Sequence, residues 1–272
     1  MPTFAAKIDK AWSHANSMLC VGLDPDPERF PPTFKGPRAI YRFNRMVIDA
    51  TADLVCAYKP QIAYYSACAA ETDLELTIAY IRARAPHALV ILDAKRGDIA
   101  STAAMYAREA FDRYDADAVT VNPFMGMDCV EPFLERPNRA AILLCKTSNP
   151  GSSLIQHQRM GQRLVYETIA ELAEQAWKKS GNAMILVGAT FVEEMLAIRK
   201  IAPTIPFLVP GIGQQQGDVR KVLENGTDAT GRGLVISSSR SITYAGDGGT
   251  AAVRAAATET AEKIRLAATA PA

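Results

Sequence analysis

Eight short apolar runs recur along this chain, most of them followed by a turn and then a helical pattern. They are Met18–Leu23, Leu54–Tyr58, Ala88–Asp93, Ala118–Val121, Ala140–Cys145, Ala183–Val187, Pro206–Val209 and Leu234–Ser238. Continuous rather than alternating apolar strands imply a sheet covered on its outer face, as parallel sheets are. Helical periodicity is read over Ala39–Asp53, Tyr64–Arg84, Ile99–Tyr114, Met160–Lys179 and Thr250–Leu266. Eight strand–helix units in about 250 residues predict an α/β fold, a closed (β/α)8 TIM barrel. An open, doubly wound sheet is the alternative. No linker or low-complexity tract interrupts the pattern, so residues 1–272 read as one barrel domain.

The third run ends in Asp93-Ala94-Lys95-Arg96-Gly97-Asp98, with three of these charges expected to carry chemistry. Charge at the end of a buried strand is costly unless it is paired. It is also where barrels place their reactive groups. Alternation along a strand puts Asp93 and Lys95 on one side. A salt bridge at a strand end would account for Asp-x-Lys alone, but less well for the full Asp-x-Lys-x-x-Asp.

Polar residues follow the other runs as well. Asp24 follows the first, Lys59 and Gln61 the second, and Lys146, Thr147 and Ser148 the fifth. Pro210-Gly211-Ile212-Gly213 follows the seventh and Ser239-Arg240 the eighth. In a barrel these ends share one face, and the loops after strands seven and eight commonly bind phosphate. Glycines let backbone N–H groups approach an anion, and Arg240 offers a bidentate grip. The stretch Lys146 to Arg159 reads as a long polar loop, either an active-site cover or a tolerated surface insertion.

Composition narrows the chemistry. A net charge of +1 gives no footprint for nucleic acid or a membrane surface. No apolar run approaches the roughly 18 residues of a spanning helix. Residues 1–10 lack the apolar core of a signal peptide. The five cysteines form no Cys-x-x-Cys pair, which points to free thiols in a reducing cytoplasm and away from zinc. Three histidines, His14, His87 and His157, show no triad or metal spacing. Lysine and carboxylate chemistry is left to carry any reaction.

Asp93-Ala94-Lys95-Arg96-Gly97-Asp98-Ile99, with Gly22-Leu23-Asp24, Tyr58-Lys59-Pro60-Gln61, Val209-Pro210-Gly211-Ile212 and Ser239-Arg240, resembles the orotidine 5′-phosphate decarboxylases, in particular their longer-chain bacterial branch. The resemblance runs from roughly residue 18 to residue 245. It implies conversion of orotidine 5′-monophosphate to uridine 5′-monophosphate and CO2, the last step of de novo pyrimidine synthesis, with no metal or organic cofactor. Lys59, Asp93, Lys95 and Asp98 match the family's alternating charges. Asp98 and Thr102 are expected to reach a neighbouring subunit's site, which implies a homodimer with shared active sites. Asp98 lies past Gly97, where the chain turns away from its strand, which suits such a reach. Asp24 matches the ribose aspartate and Ser148 the serine near the pyrimidine. Pro210, Ser239, Arg240 and Gln215 complete the expected substrate contacts, with Gln214 and Gln216 beside the last. Ser239 stands where many members have glycine, and no tyrosine lies between Pro210 and Arg240. The phosphate contacts are therefore expected to be arranged differently. Two other readings are a magnesium-dependent sugar-phosphate decarboxylase of the same superfamily and a silent phosphometabolite-binding barrel. The first keeps Asp-x-Lys-x-x-Asp but has a carboxylate at the position of Lys59. The second would need no proton donor.

Overall fold

The computed structural model describes residues 2–212 and 218–269. In chain order its strands are β1 (Leu19–Leu23), β2 (Ala57–Pro60), β3 (Leu89–Arg96), β4 (Ala118–Val121), β5 (Ala140–Lys146), a small pair β6 (Arg159–Met160) and β7 (Arg163–Leu164), then β8 (Ala183–Val187), β9 (Phe207–Pro210) and β10 (Leu234–Ser238). All but β6 and β7 form a closed parallel barrel in the order β1-β10-β9-β8-β5-β4-β3-β2. The open-sheet alternative is thereby excluded. Closure removes the unpaired edges that an open sheet must protect.

The helices are α1 (Phe4–Ala15), α2 (Ala39–Thr51), α3 (Ile62–Ser66), α4 (Glu71–Arg84), α5 (Ala100–Arg108), α6 (Glu131–Leu134), α7 (Ser153–Gln156), α8 (Val165–Ser180), α9 (Val192–Ile201), α10 (Val219–Gly226), α11 (Arg240–Thr243) and α12 (Thr250–Thr269). Among the described residues none is long and apolar enough to cross a membrane.

Helix α1 lies across the amino-terminal end of the barrel, where the charged residues of its sequence hid it. Thr3 caps its first turn by accepting from the Ala6 N–H, and Asn16 ends it in a left-handed conformation. Phe4, Ile8, Ala11 and Trp12 form its buried stripe. The Trp12 indole donates to the carbonyl of Leu234 at the start of β10, 2.8 Å away. Beside it, buried Asp117 takes Lys7 and Arg82 at 2.8 and 2.7 Å and accepts from the Val90 N–H at 2.9 Å. That end of the barrel is thus closed by paired charge and apolar contact.

Several expected boundaries move for local reasons. The second strand begins at Ala57, because Leu54 closes the turn out of α2, its N–H donating to the Thr51 carbonyl at 2.9 Å, and Val55 and Cys56 lead from that turn into the strand. The expected helix Tyr64–Arg84 is broken between α3 and α4, where Ala69 has φ +49°. Helix α5 widens into one π turn at Glu109–Arg113. The stretch after β5 is not a bare loop. It contains a 3-10 turn at Pro150–Ser152, α7, and the β6–β7 hairpin turning at Gly161, so α8 starts at Val165 rather than Met160.

Candidate active site

Four charged side chains, Asp24, Lys59, Asp93 and Lys95, meet where β1, β2 and β3 end. Lys59 Nζ lies 3.0 Å from Asp93 Oδ2 and 4.0 Å from Asp24 Oδ1. Lys95 Nζ lies 2.6 Å from Asp93 Oδ1. Lys59 and Asp93 have side chains only 7% and 8% exposed, whereas that of Lys95 is 46% exposed. The array therefore has a buried base and one ammonium presented outward.

Asp93 and Lys95 meet, though not by the simple strand alternation expected. The β3–β4 register shifts between Leu92 and Arg96, and Lys95 has φ +46°. A left-handed residue after Ala94 turns the lysine back over its neighbour. Thr120, on β4, holds this bend. Its hydroxyl accepts from the N–H groups of Ala94 and Lys95, each at 2.9 Å, and donates to Asp93 Oδ1 at 3.0 Å. Sequence reasoning passed over Thr120. Its signal is slight: one polar residue in the run Ala118-Val119-Thr120-Val121, fully buried in the folded chain.

Electrostatics sets the ionisation of the pair. Burial works against the charge on Asp93, but Lys59 and Lys95 outweigh it and hold its carboxyl well below the usual range. Burial likewise opposes the Lys59 ammonium, and Asp93 with Asp24 raises its pKa in spite of that. Both are charged at neutral pH.

The other expected residues fall around two adjoining cavities. Asp24, Lys59, Ser239 and Arg240 line one of about 140 Å³. Asp93 and Lys95 line the other, of about 950 Å³, together with apolar side chains such as Leu144, Ile169 and Leu186. Ser148 and Pro210 line both. Gly188 lets Ser148 come close, since a Cβ there would lie 2.9 Å from the Ser148 Cα. Arg240 is exposed at the start of α11 and makes no ion pair among the described residues. Gln215, with Gln214 and Gln216, lies outside the described residues.

Asp98 and Thr102 do not join the array of their own chain. Asp98 Oδ1 accepts from the Ile99 N–H at 2.8 Å, and among the described residues Asp98 makes no ion pair with Lys59 or Lys95. Thr102 is exposed on α5.

Lys146 has a different setting from the other lysines. It is fully buried, donating to Ser152 Oγ at 2.7 Å and Ser153 Oγ at 3.4 Å, 3.8 Å from the centre of the Phe191 ring. Burial lowers its pKa, which Glu194 and Cys145 only partly offset. Next to it, Gln156 clasps Thr147 through both the Thr147 N–H and its hydroxyl, at 3.0 and 2.9 Å. The segment bearing Ser148 is fixed from below and behind.

The fold and site together define a class, a parallel (β/α)8-barrel enzyme with a lysine–aspartate array at the carboxyl-terminal ends of its strands. The family model for the orotidine 5′-phosphate decarboxylase / HUMPS family matches residues 17–255, and the chain belongs to that family. It is 52% identical over 270 residues to the orotidine 5′-phosphate decarboxylase of Cellvibrio japonicus, covering 97% of this chain and 99% of the relative. It is 52% identical over 264 residues to that of an Azoarcus species, covering 96% and 98%. Among solved structures, Leishmania donovani OMP decarboxylase matches with a TM-score of 0.87 and 38% identity, covering 99% of this chain and all of that one.

Proposed function

We propose that this chain decarboxylates orotidine 5′-monophosphate to uridine 5′-monophosphate and CO2, the last step of de novo pyrimidine biosynthesis. Family membership and the near full-length relatives support the reaction. The observation that carries the mechanism is the Lys59–Asp93–Lys95 array, with one ammonium facing the cavity.

In this reading the pyrimidine lies by Ser148 and Pro210, with C6 at Lys95. Breaking the bond from C6 to the carboxylate carbon leaves an electron pair on C6 and releases CO2. The Lys95 ammonium stabilises that charge as it develops and then gives its proton to C6, and solvent restores the proton. Asp93 faces the departing carboxylate and holds Lys95 in place. Lys59 keeps Asp93 ionised and stands near Asp24, which takes the ribose. Each tenfold in rate requires about 1.4 kcal/mol of differential stabilisation. Several fixed charges are needed, and the Arg240 and Gln215 side chains, with the backbone at Ser239, supply on the phosphate the binding energy that sets them in register.

Asp98 and Thr102 are assigned to the neighbouring subunit's site, in a homodimer. Their position outside the chain's own array supports this, as do the exposed side chains of Ile99, Met105, Phe124 and Met125 on the segments after β3 and β4. Residues 1–272 are read as one domain, since α1 seals the barrel and α12 packs on α2 and α10. The cytoplasm is the compartment assigned, in keeping with a nucleotide-synthesising enzyme and with cysteines that are all free.

The direct test follows the loss of orotidine 5′-monophosphate absorbance with purified protein, before and after EDTA treatment and desalting. Turnover that survives EDTA is expected. No turnover by folded protein, or activity that returns only with Mg²⁺, would favour a metal-dependent sugar-phosphate decarboxylase instead. The Lys59 ammonium beside Asp24 and Asp93 argues against that outcome.

A further inference from the structure

Asp24 is held from one side and left open on the other. Its Oδ2 accepts from the Ser239 hydroxyl at 2.6 Å. Its Oδ1 is buried and has no hydrogen-bond partner, with the Lys59 ammonium standing off at 4.0 Å. The Asp24 carbonyl accepts from the Tyr244 hydroxyl at 3.1 Å, and that hydroxyl in turn accepts from the Asp26 N–H at 2.7 Å. The backbone is thus pinned by α11 and its flank, while the direction of the carboxylate rests on Ser239.

Ser239 can reach Asp24 because Gly22 has no side chain. A Cβ at Gly22 would lie 2.7 Å from the Ser239 Cβ. Without the serine bond, the Asp24 carboxylate is free to swing the short distance to Lys59 and close a full ion pair. A charge-assisted hydrogen bond is strong enough to oppose that collapse.

We propose that Ser239 is a positioning residue for ribose recognition: its hydroxyl keeps Asp24 off Lys59, so that Oδ1 remains free to accept from a ribose hydroxyl. The inference rests on the reading that Asp24 binds ribose. It also makes Ser239 the link between that carboxylate and Arg240, the next residue along.

The test measures binding of uridine 5′-monophosphate and of its 2′-deoxy and 3′-deoxy forms by calorimetry. The proteins are the parent, Asp24→Ala, Ser239→Ala, Ser239→Gly and Asp24→Ala/Ser239→Ala. Loss of discrimination between ribose and deoxyribose in Asp24→Ala establishes the underlying reading. Ser239→Ala and Ser239→Gly should each weaken the ribonucleotide about tenfold and barely affect the deoxy form whose missing hydroxyl serves Asp24. Adding Ser239→Ala to Asp24→Ala should change nothing further. Ser239 variants that bind all three ligands as the parent does overturn the proposal, as do variants that lose all three equally. If Asp24→Ala itself keeps the discrimination, the ribose reading falls and the inference falls with it. The glycine variant relieves the crowding at Gly22, so a folding defect confined to one substitution does not decide the result.

Discussion

Asp93 Oδ1 accepts a 2.6 Å hydrogen bond from the ammonium of Lys95, only two residues further along the chain. The contact exists because the chain bends between them, and it fixes where a proton can be delivered. Lys95→Ala should stay folded and bind uridine 5′-monophosphate, while turnover falls by about a thousandfold or more. Single-turnover kinetics on the purified variant checks this. Activity within tenfold of the parent removes Lys95 from the role of proton donor.

Acid should reveal how Asp93 supports the fold. Its carboxyl is held well below the ordinary range, with Lys59 and Lys95 prevailing over burial. The resulting stability is complete above the unfolded-state value of about 3.9 and drains away only as pH falls through the lower folded value. Asp93→Asn should therefore cost about 3 kcal/mol at pH 7 and the same at pH 5. The gap from the parent should narrow only below about pH 4. Urea denaturation at each pH gives the comparison, and a gap already closed at pH 5 contradicts the ionised pair.

Arg240 is exposed beside the smaller cavity and has no carboxylate partner among the described residues. Arg240→Ala should lower kcat/KM for the nucleotide by about 10- to 100-fold and leave the phosphate-free nucleoside within about twofold. Equal losses on both would make the arginine structural.

If Asp98 completes a neighbour's site, two dead proteins should make a live one. Lys95→Ala and Asp98→Ala are unfolded together in equal amounts and refolded. Random pairing makes about half the dimers mixed, and each mixed dimer has one intact site, so about a quarter of all sites recover. Confirmed exchange without recovery places Asp98 in its own chain's site.

Lys146 offers a case in which stability and activity part. Its buried ammonium is costly, whereas its bonds to Ser152 and Ser153 hold the segment behind Ser148. Lys146→Met removes the charge and leaves a buried serine hydroxyl, so unfolding free energy should change by no more than about 1 kcal/mol. KM should rise while kcat changes little. A parent-like KM would mean that the segment holds itself.

The barrel was legible because eight apolar runs reported the same covered environment, and the site because strand ends converge. What escaped was written in single residues. Thr120 looks like an ordinary strand threonine, and its three hydrogen bonds to β3 depend on a bend that alternation does not foresee. Helix α1 hid because its buried stripe is spaced among charges. The stretch after Lys146 read as loop because Asn149, Pro150 and Gly151 are turn residues. Its short α7 and β6–β7 hairpin carry too few residues for a periodicity to show.

The left-handed conformation of Lys95 has a bearing on how this protein would respond to artificial selection. A side chain at φ +46° pays a steric cost that glycine does not, of about 1 kcal/mol. A library screened for heat resistance alone is therefore pulled two ways at position 95, since glycine or asparagine relieves the backbone but gives up the ammonium paired with Asp93. Wherever the backbone relief prevails, a population grows sturdier as its chemistry disappears, so any thermostability campaign on this chain has to select for turnover in the same round.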